Sequence, residues 1–130
     1  MSTPIKFLIH GEPASKANSR KIVKFGKRLA SIKSDKARAY VATFEKQCPT
    51  LSVPLTEDVA VIITIHYASR RPDLDESVIL DCMQKRIYAN DRQVKCKLIF
   101  WALDKGNPRA EIEVVPLTEF TVRYEQDASH

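Results

Sequence analysis

Ile5, Phe7 and Ile9 alternate with Lys6, Leu8 and His10, and this period of two predicts a strand with at least one buried face. Gly11 and Pro13 end it, and the stretch EPASKANSR that follows has no periodicity and reads as a loop. Two short runs, KIVKF and RLASI, mix apolar and basic residues around Gly26 and Lys27 and fit a small hairpin. Ser34 suits a helix N-cap with Asp35 in the first turn. Ala37, Tyr40, Val41, Phe44 and Cys48 then recur at spacings of three and four, drawing one apolar stripe that Pro49 stops. Tyr40 and Phe44 at this spacing are core residues in preference to base-stacking ones. After the connector CPTLSVPLT, the segment VAVIITIHY is apolar on both faces and β-branched, as a central strand is.

That strand delivers the chain into ASRRPDLD, where Pro72 biases Arg71 towards an extended backbone. Asp75 or Ser77 caps a second expected helix, running to about Arg86 with Val78, Cys82 and Met83 inward and Lys85 and Arg86 at the negative end of its dipole. YANDRQV turns into a strand over residues 94–103, apolar at Val94, Cys96, Leu98, Phe100 and Ala102. DKGNP is a turn, and residues 110–115 alternate Ile112 and Val114 with Glu111 and Glu113, predicting a half-exposed strand antiparallel to its predecessor. The order of elements predicts an α+β fold, with a mixed or antiparallel sheet and two main helices packed on it. We expect one domain over residues 1–117 and a C-terminal tail over residues 118–130.

Composition narrows the function classes. A chain of 130 residues, 44% of them hydrophobic, is enough for one core. It holds no run approaching the roughly 18 apolar residues of a membrane span, and MSTPIKFLIHGEP lacks a signal-peptide layout, so a cytoplasmic protein is expected. Cys48, Cys82 and Cys96 are odd in number and have no CxxC spacing, which argues for reduced thiols and against a disulfide framework or a zinc site. His10, His66 and His130 form no ligand cluster.

The net charge of +5 is unevenly spread. Residues 15–38 carry Lys16, Arg20, Lys21, Lys24, Lys27, Arg28, Lys33, Lys36 and Arg38 against the single acid Asp35, so the remainder of the chain is net negative. A local basic excess suits a polyanion, because each neutralised phosphate releases counterions. Lys16 and Arg20 in the loop and the basic hairpin are the candidate backbone contacts, joined by Arg70 and Arg71.

The candidate chemistry lies in RRPDLDESVILDCMQKRIYANDRQV, residues 70–94. Asp73 and Asp75 are two apart, so in an extended backbone their side chains share a face with Cα atoms roughly 6 to 7 Å apart. Asp91 lies beyond one short helix that can return the chain beside them. Clustered carboxylates raise one another's pKa unless a cation sits among them. Mg2+, with Mn2+ as the alternative, takes oxygen ligands, keeps several waters and activates one for phosphodiester hydrolysis.

These residues resemble the RusA-type Holliday-junction resolvases. In that family an R-x-D-L-D-N stretch leads into a helix carrying a further Asp and then D-D-x-Q-V. GEPASKANSRK is similar to its Gly-x-Pro-x-x-Lys-x-Arg-Pro-Arg opening. The resemblance covers most of residues 5–116 and implies a homodimeric, Mg2+-dependent endonuclease that resolves four-way DNA junctions by paired cuts. It puts Asp73, Asp75 and Asp91 on the metal-binding carboxylates and Asp81 on the helix aspartate. A phage or prophage source fits the family. Three positions depart from its pattern: Glu76 stands for the Asn, Asn90 for the first of two adjacent aspartates, and Ile79 for a helix lysine. The positive charge beside the scissile phosphate is then expected from Lys16, Arg70, Arg71 or Lys85. The alternatives are a branched-DNA-binding protein that has lost cleavage, and a metal-dependent nuclease of flaps or forks.

Overall fold

The computed structural model describes residues 4–15 and 20–120, so Lys16 and the tail from residue 121 onward lie outside the described residues. The regular elements are β1 (Ile5–His10), β2 (Arg20–Phe25), β3 (Arg28–Lys33), α1 (Asp35–Gln47), β4 (Val59–Tyr67), α2 (Ser77–Met83), β5 (Val94–Leu103) and β6 (Arg109–Pro116). Four strands form one mixed sheet in the order β1-β6-β4-β5, and β2 and β3 pair separately as the expected hairpin. The fold is α+β, with α1 and α2 against one face of the sheet.

β4 is central, as its two apolar faces require, with β6 antiparallel on one side and β5 parallel on the other. Parallel neighbours need a crossover, and α2 supplies it. β6 runs opposite to β5 but does not pair with it: β4 lies between them, and β6 is zipped between β1 and β4. The half-exposed reading holds along most of its length, since Ala110, Ile112 and Val114 are buried while Glu111 is exposed and Glu113 half-buried.

α1 begins as predicted, with Ser34 Oγ accepting from Ala37 N at 3.1 Å. Its stripe of Ala37, Tyr40 and Phe44 is buried, and Phe44 meets Phe7 edge-on at 6.3 Å between ring centroids. Tyr40 and Phe44 are therefore core. α2 stops at Met83, short of Arg86, because Gln84 turns extended to bridge Tyr88 and Lys85 adopts a φ of 69°. Ile79, like Met83, is fully buried on its inner face. Arg86, freed from that helix, donates from Nη1 to Glu45 O at 2.9 Å, so its charge satisfies the end of α1 and not of α2. Cys48, Cys82 and Cys96 are free thiols. The opposite sheet face leaves Leu8 and Phe100 exposed, and among the described residues no helix is long and apolar enough to cross a membrane.

Candidate functional site

Residues 68–76 leave the end of β4 without regular structure, yet they are fixed at nearly every step. Ala68 N donates to Glu12 Oε2 at 2.6 Å, and Trp101 Nε1 donates to Pro72 O at 3.2 Å. Lys97 Nζ then meets Glu76 Oε2 at 2.8 Å. The loop therefore runs back along β5, passing Trp101 and then Lys97, and so carries Asp73 and Asp75 away from the end of β4 towards its beginning. Asp91 waits there, in a short 3-10 turn (Asp91–Gln93) that leads into β5.

That turn is locally determined. Asn90 Oδ1 accepts from Arg92 N at 2.9 Å, and Gln93 Oε1 accepts from Asn90 N at 2.7 Å. The buried Gln93 amide donates to Leu55 O and Glu57 O, both at 2.7 Å, which ties the turn to the connector before β4. Asn90 thus serves as a cap, and Asp91 is the carboxylate the turn presents.

Asp91, Asp81 and Ser77 line one recess, with Lys95 and Lys97 on its β5 wall. Burial pushes the Tyr88 phenol well above its ordinary range, and the nearby carboxylates of Asp91 and Asp81 add to the shift. Asp75 is tied to Ser77 of that lining: its Oδ1 accepts from Ser77 N at 3.0 Å and from Ser77 Oγ at 2.8 Å, satisfying an orphan N–H at the start of α2. Asp73 opens on a neighbouring recess with Glu12, Ser15, Lys36 and Arg71. No group of three or more His, Cys, Asp or Glu side chains close enough to hold an ion occurs among the described residues. Ser77, Asp81 and Asp91 offer oxygen donors, the type a hard divalent cation takes, beside the Cys96 thiol and the Lys95 and Lys97 amines.

The basic segment presents its charge unevenly. Asp35 takes both Lys21, at 2.9 Å, and Arg38, joining β2 to α1, and these contacts hold its carboxyl below the usual range. Arg20 Nε donates to Ser31 Oγ at 3.0 Å within the hairpin. Lys24, Lys27 and Arg28 surround the hairpin tip, exposed and making no ion pair among the described residues, and Arg70 and Arg71 are exposed likewise. Lys85 is exposed beyond α2, apart from the residues lining the recess.

The cations that do line the recess, Lys95 and Lys97, are ones the sequence reading passed over. Both are exposed on the edge strand β5, two apart on one face, and local pattern gives no signal for their place because it depends on the path of the loop over residues 68–76. Ile79, which stands for the helix lysine of the family pattern, is wholly buried and does not line the recess.

No curated protein matches this chain. Residues 10–115, which span the loop, the hairpin, both helices and the acidic recess, match the family described as Endodeoxyribonuclease RusA, and the chain belongs to that family.

Proposed function

We propose that this protein resolves four-way DNA junctions by Mg2+-dependent phosphodiester hydrolysis, acting in the cytoplasm as a homodimer, with Asp73, Asp75 and Asp91 as its metal-binding carboxylates. The observation that carries the reading is one recess where Asp81 and Asp91 meet Lys95 and Lys97, with Asp75 hydrogen-bonded to Ser77 of its lining, in a chain of an endodeoxyribonuclease family. A divalent ion bound there would supply an activated water and charge stabilisation for the departing oxygen. Lys95 offers positive charge to the phosphate that enters, Lys97 does so while paired with Glu76, and Ser77 orients the Asp75 carboxylate through two hydrogen bonds. Lys24, Lys27 and Arg28 at the hairpin tip, with Arg20, Lys21, Arg70 and Arg71, contact the DNA backbone and orient it without reading bases. Lys16 belongs to the same basic segment. A four-way junction has approximate two-fold symmetry, so two identical sites related by a C2 axis address its two equivalent strands.

Purified protein is incubated with a labelled four-way junction and Mg2+ beside Asp75→Asn. Paired, metal-dependent nicks that the substitution abolishes, with junction binding retained, are expected. A second reading, a branched-DNA-binding protein without cleavage, draws on the absence of a ready three-carboxylate group among the described residues and on the buried Ile79. Equal binding with no cleavage by either form selects it. Cleavage of flaps or forks in preference to four-way junctions selects a different substrate for the same site.

A further inference from the structure

Two aromatic rings beneath the acidic loop make contacts that packing alone does not need. Tyr67, the last residue of β4, is fully buried, and Trp101 of β5 stacks on it with ring centroids 6.0 Å apart and planes inclined by 27°. Such a stack is favourable in itself, but each ring also carries a polar atom that reaches the loop. Tyr67 Oη donates to Asp73 O at 3.3 Å and accepts from Asp75 N at 3.3 Å. Trp101 Nε1 donates to Pro72 O at 3.2 Å. Three backbone groups within four consecutive residues are thereby attached to two side chains of the rigid sheet.

We propose that Tyr67 and Trp101 form a positioning clamp that sets the backbone of Pro72, Asp73 and Asp75 and so fixes where the two loop carboxylates stand. The consequence for metal affinity rests on the nuclease reading given above; the clamp itself does not. A loop with no helix or ladder to satisfy its polar groups must find partners elsewhere or remain free to move. One hydroxyl supplies both a donor and an acceptor, which only the neutral phenol can do. The stack limits rotation of the tyrosine ring, and Asp104 N, donating to Tyr67 O at 2.8 Å, holds its backbone as well. Trp101 is 37% exposed because β5 is the edge strand and the loop is its cover, so ring and loop shelter each other.

The test uses the full chain and two conservative variants. Tyr67→Phe keeps the ring and removes the hydroxyl; Trp101→Phe keeps a stacking ring and removes the N–H. Amide hydrogen exchange is followed at Asp75 and, as an internal reference, in β4 and β6. Mn2+ affinity is titrated directly, and cleavage of a labelled four-way junction is measured against Mg2+ concentration. Tyr67→Phe is expected to speed exchange at Asp75 while β4 and β6 stay protected. It should also weaken Mn2+ binding and raise the half-saturating Mg2+ by about tenfold, the usual scale for losing a group that orients a ligand. Saturating Mg2+ should recover most of the rate in Tyr67→Phe and none of it in Asp75→Asn, and Trp101→Phe should shift the same quantities in the same direction by less. Unchanged exchange at Asp75 in Tyr67→Phe overturns the clamp. Faster exchange with unaltered Mn2+ and Mg2+ dependence overturns its role in setting the carboxylates. If the unsubstituted protein fails to cleave, or Asp75→Asn cleaves as well as it does, the nuclease reading fails while the exchange measurement still decides the clamp.

Discussion

The β2–β3 hairpin and the loop over residues 68–76 are held in opposite ways. The hairpin is regular, with six residues in each strand, but it stands apart from the main sheet and exposes Ile22, Phe25 and Leu29. Its tie to the body runs through charge, from Lys21 to Asp35 and on to Arg38, all near the surface. The loop has no regular structure, yet buried or half-buried groups grip it: Glu12, Tyr67 and Trp101. Regularity is thus a poor guide to rigidity. A two-stranded ribbon without a packed face is marginal by itself, whereas an irregular strip whose backbone groups end on a core has little freedom. The division suits the proposed function, in which a basic arm outside the main sheet meets the DNA while the acidic groups keep their places.

The largest effect expected from breaking this contrast is at Asp75. Asp75→Asn should lower the rate of junction cleavage by at least about 100-fold, more than is lost when a group merely orienting a ligand is removed, while a gel-shift assay shows binding equal or tighter. Replacing Lys24, Lys27 and Arg28 together by Ala should do the reverse. Affinity falls for any junction sequence, the slope of log K against log salt becomes shallower by about 3, and the rate at saturating DNA stays close to that of the unsubstituted protein. If the triple variant instead lost turnover at saturating DNA, the hairpin would belong to the chemistry and the division between arm and site would fall.

Smaller effects sharpen the comparison. Ser34→Ala removes the cap beside the hairpin and should cost about 1 kcal/mol in denaturant unfolding. The smallest effect concerns acid. The contacts with Lys21 and Arg38 depress the Asp35 carboxyl below 3.8, so its tie is complete above that value and is lost as the pH falls through the lowered one. Amide exchange in β2 and β3 should therefore rise below about pH 3.8, and also with added salt, before any change at Asp75, whose partner is a neutral hydroxyl. Simultaneous loosening of both segments would show that they are not held independently.

Local pattern sufficed for much of this architecture. The stripe from Ala37 to Cys48, the β-branched run of β4 and the Gly26 turn each carry their own instructions, and the corresponding elements form where the pattern puts them. What local pattern does not encode is which elements become neighbours. β6 runs antiparallel to β5 as expected, yet β4 lies between them, and the expected length of α2 fails because Gln84 finds Tyr88 across a turn. The site was legible in part: Asp91 and Asp81 line one recess, Asp75 is hydrogen-bonded to Ser77 of that lining, and Asp73 lines a different one. Lys97 was not visible as a wall of that recess because its role depends on the loop folding back along β5. Tyr67 looked like one more apolar residue in VAVIITIHY, and only the path of the loop reveals the use of its hydroxyl.

α1 is fastened by side chains at both extremities, through Asp35 to β2 and through its final carbonyls to Arg86 in the segment before Asp91. Because each added residue turns a helix by about 100°, inserting a single one in α1 would swing one attachment around the cylinder relative to the other, and only a near-whole number of turns would restore both. The thirteen-residue span of this helix is therefore a phase setting as much as a length, and sequence variants that shorten or extend it should be tolerated in steps of three or four residues and rejected in between.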